Sequence, residues 1–167
     1  ARNSRFTEIW GIPPYTSAEG DGIYESPERK KNNLYKTMGD CQIVLRYFAL
    51  RDEQRIKGSM RSILDSRMED WMSMNDSDEL AASNEYTERL ELAYKLFDGK
   101  PFRLTQGESG KPSESMYDAV MVALNRNWSN RDNLLGAKNR VQGLYWSALD
   151  TPEKIEQFSG RANTALD

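Results

Sequence analysis

The chain has no histidine among its 167 residues and only one cysteine, Cys41. Without histidine it cannot build a Ser-His-Asp triad, a Cys-His pair, an HNH nuclease centre or a histidine-ligated zinc site. One cysteine excludes an internal disulfide and a cysteine-rich zinc site. The remaining possibilities are catalysis by carboxylate, lysine, tyrosine or hydroxyl side chains, or a chain with no catalytic activity.

The sequence also lacks a run of 18 apolar residues and a charged-then-apolar leader, so we expect no membrane span and a cytoplasmic location. Hydrophobic residues make up only 38%, with a mean hydropathy of -0.80. The 4 Trp, 8 Tyr and 5 Phe nevertheless supply enough apolar area for a core. The length suits one domain or two small ones, and we expect a single domain over residues 1–167.

Charge is unevenly distributed, although the net charge is only -3. Residues 68–98 hold nine acidic and two basic side chains, which argues against DNA contact there because phosphates would be repelled. Basic residues in the first third of the chain form a candidate strip: Arg46, Arg51, Arg55, Lys57, Arg61 and Arg67. A solvated helix face is the favoured interpretation of this strip, and nucleic-acid contact is the alternative.

Apolar spacing predicts an all-α fold, an irregular bundle of six or seven helices with long loops at 11–38 and 99–112. Helices are expected at 1–10, 40–50, 55–74, 78–97, 114–126, 130–149 and from 152 onward. Gly39-Asp40 and Thr151-Pro152-Glu153 have the composition of helix starts, and Asp98-Gly99 that of a helix end. The stripe of the 55–74 helix includes Met68 and Met72, for which burial in the core is expected.

Several patterns resemble reactive sites and are better explained by structure. Residues 107–112 approach the phosphate-loop pattern, but Thr105 and Pro112 occupy required positions, so a solvent loop is expected. The acids at 69–70 and 76–79 suit a solvated helix junction better than a hydrolase pair. Cys41 is expected to be buried. Trp128 and Trp146 lie near arginines and could stack on bases, but packing is the favoured role.

Five segments, in order, resemble one family. Residues 1–6 (A-R-N-S-R-F) resemble the end of an E-[IL]-R-N-A box, and residues 38–50 (M-G-D-C-Q-I-V-L-R-Y-F-A-L) a D-x-E-L-V-L-R-F-F-A helix. Residues 100–103 and 113–121 resemble an F-R … N-x-A-L-F-E-A-V-M stretch, and residues 159–164 an S-G-R-x-N-T segment. The family is the N-terminal region of GmrSD-type restriction proteins, also called ParB/sulfiredoxin-like. Gln42 stands where the family tends to carry Glu.

The resemblance implies a part of a prokaryotic phage-defence protein that cuts foreign DNA. In that family a ParB-like core with a D-G-Q-Q-R motif binds and hydrolyses nucleotide, and an HNH-type region, when present, cuts DNA. This chain contains neither D-G-Q-Q-R nor histidine, and it begins with Ala1. We therefore expect a non-catalytic helical fragment with no cofactor or metal of its own, from a parent that is a nucleotide-dependent, magnesium-using endonuclease.

The first hypothesis is that the chain packs on the nucleotide-hydrolysing core of its own polypeptide and relays the state of that core. Arg2, Asn3 and Arg46 are the candidate interface residues, and Arg46 is chosen because its charge lies inside an apolar run. Contact with DNA, with an HNH region or with a second subunit stays open. The alternative hypothesis is a stand-alone helical adaptor that binds protein partners.

Overall fold

The computed structural model describes residues 3–17, 23–24, 26–107 and 110–159. Contacts divide the chain into two compact units, unit 1 (Ala1–Asn84) and unit 2 (Glu85–Asp167). The described part is all-α, which confirms the predicted fold class. Its regular strands are limited to a short antiparallel pair, β1 (Thr16–Ser17) and β2 (Ile23–Tyr24). None of the helices in this part is long and apolar enough to cross a membrane.

Unit 1 is built from short helices around the longer helix α4. Its elements are α1 (Ser4–Ile9), α2 (Pro27–Lys31), α3 (Asn33–Lys36), α4 (Gly39–Leu50), a 3-10 turn (Glu53–Arg55), α5 (Met60–Met72) and the start of α6 (Asp76–Leu96). The inward face of α4 carries Ile43, Tyr47 and Phe48, all buried. Phe48 packs edge-on against Trp71 of α5, with ring centroids 4.8 Å apart.

Helix α4 confirms the predicted helix at 40–50, but its start differs from the expected cap. Met38 occupies the N-cap position in a left-handed conformation, with φ 57°, and makes no side-chain cap hydrogen bond. Asp40 lies inside the first turn and is buried. A carboxylate there suits the positive end of the helix dipole, so the acid acts two positions after the N-cap, Met38.

The expected loop at 11–38 is wrong over its second half, where α2 and α3 form. The Ser26 hydroxyl accepts a hydrogen bond from the Arg29 backbone N–H, and Pro27 opens α2. The Asn32 side chain caps α3 in the same way through the Tyr35 N–H. Side-chain capping therefore stabilises two helices that are too short to show an apolar stripe in the sequence.

Arg29 anchors the segment that follows α1. The side chain is 0% exposed, and its Nη1 donates to the Pro13 carbonyl oxygen at 2.6 Å. Its guanidinium lies 3.9 Å from the ring centroid of Tyr15 and 4.5 Å from that of Tyr35. Cation–π contact and a charge-assisted hydrogen bond thus hold residues 13–15 against α2 and α3.

Helix α5 is shorter at its N-terminus than the predicted helix at 55–74. Gly58 has φ 87°, a conformation that L side chains rarely adopt, and Ser59 then caps the helix through the Ser62 N–H. The chain before this point forms the 3-10 turn, and Ile56 is exposed instead of extending the core stripe.

Unit 2 places the end of α6 against α7 (Glu114–Arg126). Apolar spacing predicts an inward face on each helix, and all but one of these residues are buried: Tyr86, Leu90, Ala93, Phe97, Tyr117, Val120, Met121 and Leu124. Tyr94, predicted on the same face of α6, is partly exposed. Tyr117 Oη donates to Tyr86 Oη at 3.3 Å inside this core. Burial raises the pKa of Tyr86 far above its ordinary value.

The predicted helix at 130–149 is two helices, α8 (Arg131–Gly136) and α9 (Lys138–Ser147). Ala137 leaves helical geometry directly after Gly136, a residue that weakens helices. Leu144 was expected to face inward but is 64% exposed. The final helix, α10 (Pro152–Phe158), begins at the predicted place, where the Thr151 hydroxyl accepts from the Lys154 N–H.

The loop after α6 begins as predicted. Gly99 has φ 81°, and its N–H reaches back to the Tyr94 carbonyl at 2.9 Å. Over its described residues, 99–107 and 110–112, the segment forms no helix. Phe102 is nevertheless buried, and Tyr145 Oη donates to the Arg103 carbonyl at 2.6 Å, so α9 holds the loop in place.

Candidate functional site

An apolar groove of about 660 Å³ lies between α4 and α5 in unit 1. We call it the methionine groove. Its lining is predominantly apolar and comprises Met38, Cys41, Gln42, Leu45, Met60, Arg61, Leu64, Asp65, Met68 and Trp71. Three of the seven methionines of the chain therefore line one concavity.

The floor of the methionine groove is the point where α4 and α5 pack. Leu45, Ala49, Ile63 and Leu64 form a buried cluster there. Met60 and Trp71 are partly buried against this cluster. The floor is therefore fixed by core packing, while Met38 and Met68 in the walls are more than half exposed.

The walls are exposed because the methionine row on α5 winds away from the core. An α-helix has 3.6 residues per turn, so each i to i+4 step advances about 40° around the axis. From buried Leu64, this row moves to Met68, which is 55% exposed, and to Met72, which is 89% exposed. Trp71, seven residues beyond Leu64, stays within about 20° of it and continues the core stripe.

The expected burial of Met68 and Met72 is therefore wrong. Both have the spacing of a core stripe, but their row turns away from the buried side of α5 toward the C-terminal end of the helix. Met38, at the start of α4, is likewise 67% exposed. The structure thus leaves flexible, polarizable thioether side chains on the surface, a composition typical of adaptable protein-binding surfaces.

Cys41 was expected to be buried, and the structure corrects this as well. The residue is exposed and lines the methionine groove. Desolvation of its thiol, together with the neighbouring charge of Asp40, raises the pKa of Cys41. The thiol therefore keeps its proton at neutral pH, and a role as a nucleophile is disfavoured.

Charges at the edge of the groove are few and of both signs. Arg61 and Asp65 form an ion pair one turn apart on α5, with Nε and Oδ2 separated by 3.9 Å. Both side chains are well exposed, so the pair contributes little to stability. Beyond Trp71 the chain turns through residues 73–75 into α6, whose first residues, Asp76–Ala81, are all exposed.

Part of the predicted basic strip forms a separate cluster. Arg55 Nη1 and Arg67 Nη1 lie 2.7 Å and 3.4 Å from the same Oδ2 of Asp70. A hydrogen bond from Arg55 lowers the pKa of Asp70. The pKa of Arg67 is lowered mainly by burial and to a smaller extent by charge repulsion from Arg55. These arginines are engaged with a carboxylate of their own unit.

Among the acids at 76–79, Asp78 also has a structural partner. Asn75 Oδ1 accepts from the Asp78 N–H at 3.0 Å, and Asn75 Nδ2 donates to Asp78 Oδ2 at 2.9 Å. This reciprocal pair stabilises the start of α6. Across the described residues, no group of three or more acid or cysteine side chains is placed to hold a metal ion.

Two of the candidate interface residues, Asn3 and Arg46, lie outside the methionine groove lining. Arg2 falls outside the described residues. Asn3 is the N-cap of α1, where its Oδ1 accepts from the Phe6 N–H at 3.1 Å. Arg46 lies on α4 and is partly exposed, so its charge has the route to water that the apolar run demands.

The two tryptophans considered for base stacking pack against their own unit. The Arg89 guanidinium lies 3.8 Å from the Trp128 ring centroid and also donates to Asn125 Oδ1 at 3.3 Å. Trp146 meets the neighbouring Tyr145 edge-on, with centroids 4.8 Å apart. The favoured packing role therefore accounts for the observed surroundings of both rings.

A smaller cavity of about 280 Å³ in unit 2 has polar walls that are already hydrogen-bonded. Its Asp98 accepts from Lys138 and, at 2.9 Å, from Gln142 Nε2. Hydrogen bonds from Lys138 and, to a smaller extent, from Gln142 lower the pKa of Asp98. The methionine groove, which is larger and apolar, is the stronger candidate for a binding site.

Sequence reasoning did not identify this groove. A usable signal was present, since Met60, Met68 and Met72 fall on one i, i+4 row with Leu64. Their common identity distinguished this row from an ordinary stripe of leucine and valine.

Comparison of the chain with protein-family models, with curated proteins and with solved structures finds no match.

Proposed function

We propose that this chain is a non-catalytic helical part of a GmrSD-like restriction protein. It packs on a nucleotide-hydrolysing core of the same polypeptide and relays the state of that core. The observation that carries the proposal is the methionine groove, an uncovered apolar surface on α4 and α5. Helix α4 is also the segment, residues 38–50, in which the family resemblance is most extended.

Exposed apolar surface favours a protein partner over a small polar substrate. Met38 and Met68 are more than half exposed, and contact with a partner would remove this surface from water. The groove floor is the packing interface of α4 and α5 in unit 1. A partner that contacts both helices would bind different arrangements of α4 and α5 with different affinity, the physical requirement for relaying a state.

The same groove supports a second function, a stand-alone adaptor that binds a separate protein. Nothing in the chemistry of the groove requires the partner to be covalently linked. The coding sequence upstream of Ala1 distinguishes the two. An open frame that encodes D-G-Q-Q-R supports the restriction protein, and a start codon directly before Ala1 supports the adaptor.

The test measures nucleotide hydrolysis by the parent protein. The double variant Met38→Gln/Met68→Gln makes the groove polar at exposed positions and should reduce turnover severalfold, whereas Leu144→Gln, at an exposed position outside the groove, should leave it unchanged. Arg46→Ala tests the predicted interface in the same assay, with reduced turnover expected. Unchanged turnover in the groove variant, or nucleotide hydrolysis or DNA cleavage by the 167-residue chain alone, would overturn the proposal.

A further inference from the structure

We propose that Met38 and Met68 are sites of reversible oxidation, and that their sulfoxides turn the methionine groove from an apolar into a polar surface. The inference rests on the proposed function, because it names a means of regulating the same groove. Both residues line the groove, Met38 from the start of α4 and Met68 from α5. Their side chains are 67% and 55% exposed, so an oxidant in water reaches them in the folded chain.

The methionines of the chain differ widely in exposure. Met38, Met68 and Met72 are more than half exposed, whereas Met116 and Met121 of α7 are 5% and 0% exposed. A thioether sulfur reacts with an oxidant only where that oxidant can approach it, so oxidation should follow this division. The buried pair therefore serves as an internal reference within the same folded chain.

The modification needs a hydroperoxide as the oxidant. The oxygen–oxygen bond of the peroxide breaks, a sulfur–oxygen bond forms, the sulfur loses two electrons, and the second peroxide oxygen leaves as water. The product is a polar sulfoxide in place of a flexible apolar side chain. Methionine sulfoxide reductases reverse the reaction, with a dithiol supplying two electrons and the sulfoxide oxygen leaving as water.

Oxidation at these two positions changes the groove without entering the core of unit 1. The floor of the groove contains no sulfur, since it consists of Leu45, Ala49, Ile63 and Leu64. In the free chain the new oxygens on Met38 and Met68 are hydrated, because these side chains are already more than half exposed. A partner that covered the groove would have to remove both oxygens from water, which is unfavourable. The sulfoxides therefore weaken binding and leave the fold intact.

Cys41 is the competing sulfur, because it is exposed and lines the same groove. Desolvation, together with the charge of Asp40, raises the pKa of the Cys41 thiol. The thiolate is the reactive form, so the raised pKa slows oxidation of this residue. The two routes differ in their reversal. Dithiothreitol alone reduces a cysteine sulfenate or disulfide, whereas methionine sulfoxide also requires its reductases.

The experiment treats the folded 167-residue chain with hydrogen peroxide and maps oxidised residues by peptide mass spectrometry. We expect Met38 and Met68 to be oxidised about tenfold faster than Met116 and Met121, with unchanged helical circular dichroism. The apolar character of the groove is measured by the fluorescence of anilinonaphthalene sulfonate, a dye that binds exposed apolar surface. After oxidation this fluorescence should fall to the level of the unoxidised variant Met38→Gln/Met68→Gln.

Two variants assign the effect to the groove methionines. Met38→Leu/Met68→Leu removes both sulfurs at similar volume, so its dye fluorescence should be the same before and after peroxide. Met72→Leu is the matched control, because Met72 is 89% exposed but does not line the groove. This control should lose fluorescence on oxidation as the unmodified chain does. Dithiothreitol with methionine sulfoxide reductases for both sulfoxide epimers should restore the fluorescence, and dithiothreitol alone should not.

Four results would overturn the inference. They are oxidation of Met38 and Met68 no faster than that of Met116 and Met121, absence of dye binding by the unmodified chain, loss of fluorescence in the leucine variant equal to that in the unmodified chain, and full recovery with dithiothreitol alone.

Nucleotide hydrolysis by the parent protein separates this inference from the proposed function. If Met38→Gln/Met68→Gln reduces turnover but oxidation of both methionines does not, the inference is wrong and the proposed function stands. If neither change reduces turnover while the dye responds as expected, the proposed function is rejected and the groove is retained as a surface that oxidation switches.

Discussion

Replacing Arg29 by methionine removes a buried cation while keeping most of its apolar stem. In unit 1 this guanidinium is 0% exposed, donates to the Pro13 carbonyl at 2.6 Å and stacks between the rings of Tyr15 and Tyr35. The substitution leaves the Pro13 oxygen without this donor and the two rings without their cation. Residues 13–15 should then detach from α2 and α3.

The expected cost follows from these contacts. A hydrogen bond from a charged donor contributes about 1.5–3 kcal/mol. Each cation–π contact contributes about 0.5–2 kcal/mol. Part of this gain offsets the desolvation of the guanidinium, so we expect Arg29→Met to destabilise unit 1 by about 3 kcal/mol. Arg29→Lys keeps the charge but loses the flat stacking surface, and about half that cost is expected.

Peptide-level hydrogen exchange is the appropriate assay because it reports on the two units separately. Protection should fall in peptides from α1 to α4 and remain unchanged in peptides from α7 to α9. The neighbouring Lys30 is exposed, so Lys30→Met removes the same formal charge and should change stability by no more than about 0.5 kcal/mol. Equal protection in Arg29→Met and Lys30→Met would refute the assigned role of Arg29.

Three further predictions concern titratable groups. Arg55 holds the pKa of the Asp70 carboxyl below its usual 3.8. The contribution of Asp70 to folding stability is therefore present above pH 3.8 and is lost as the pH falls through the lowered pKa. Unfolding curves of Asp70→Asn should show a smaller loss of stability in acid, and a pH profile equal to that of the unmodified chain would contradict this. The raised pKa of Tyr86 means that its contribution is complete below pH 10 and declines above it, as the unfolded form ionises. Tyr86→Phe should therefore reduce alkaline sensitivity, at a cost of about 1 kcal/mol near neutral pH from the lost Tyr117 hydrogen bond. Cys41 should react with an aromatic disulfide reagent to one equivalent in the folded chain, more slowly than free cysteine. Absence of reaction would place the thiol in the core.

Most helices could be predicted because their signals are local. The apolar run and the cap-proline-acid pattern at residues 151–153 located α4 and α10 closely. The same pattern occurs at Ser26-Pro27-Glu28, where it would have predicted α2. That helix was missed because it is too short to show apolar periodicity, and periodicity was given more weight than capping.

The candidate site could be predicted only in part, because side-chain identity does not reveal what covers a side chain. Met68 and Trp71 both belong to the apolar stripe of α5, yet one is exposed and the other packs on Phe48. Cys41 lies in an apolar run and is nevertheless on the surface. Arg29 stands in a basic run with Lys30, and only Arg29 is buried.

The sequence by itself determined that this protein is helical and roughly where α4, α6, α7 and α10 begin, because capping, glycine conformation and apolar spacing act within a few residues. Tertiary structure alone decided which part of each apolar stripe is covered. That outcome depends on how the methionine row of α5 winds away from α4, a relation between two packed helices that no local pattern records. The methionine groove and the buried Arg29 are therefore properties of packing.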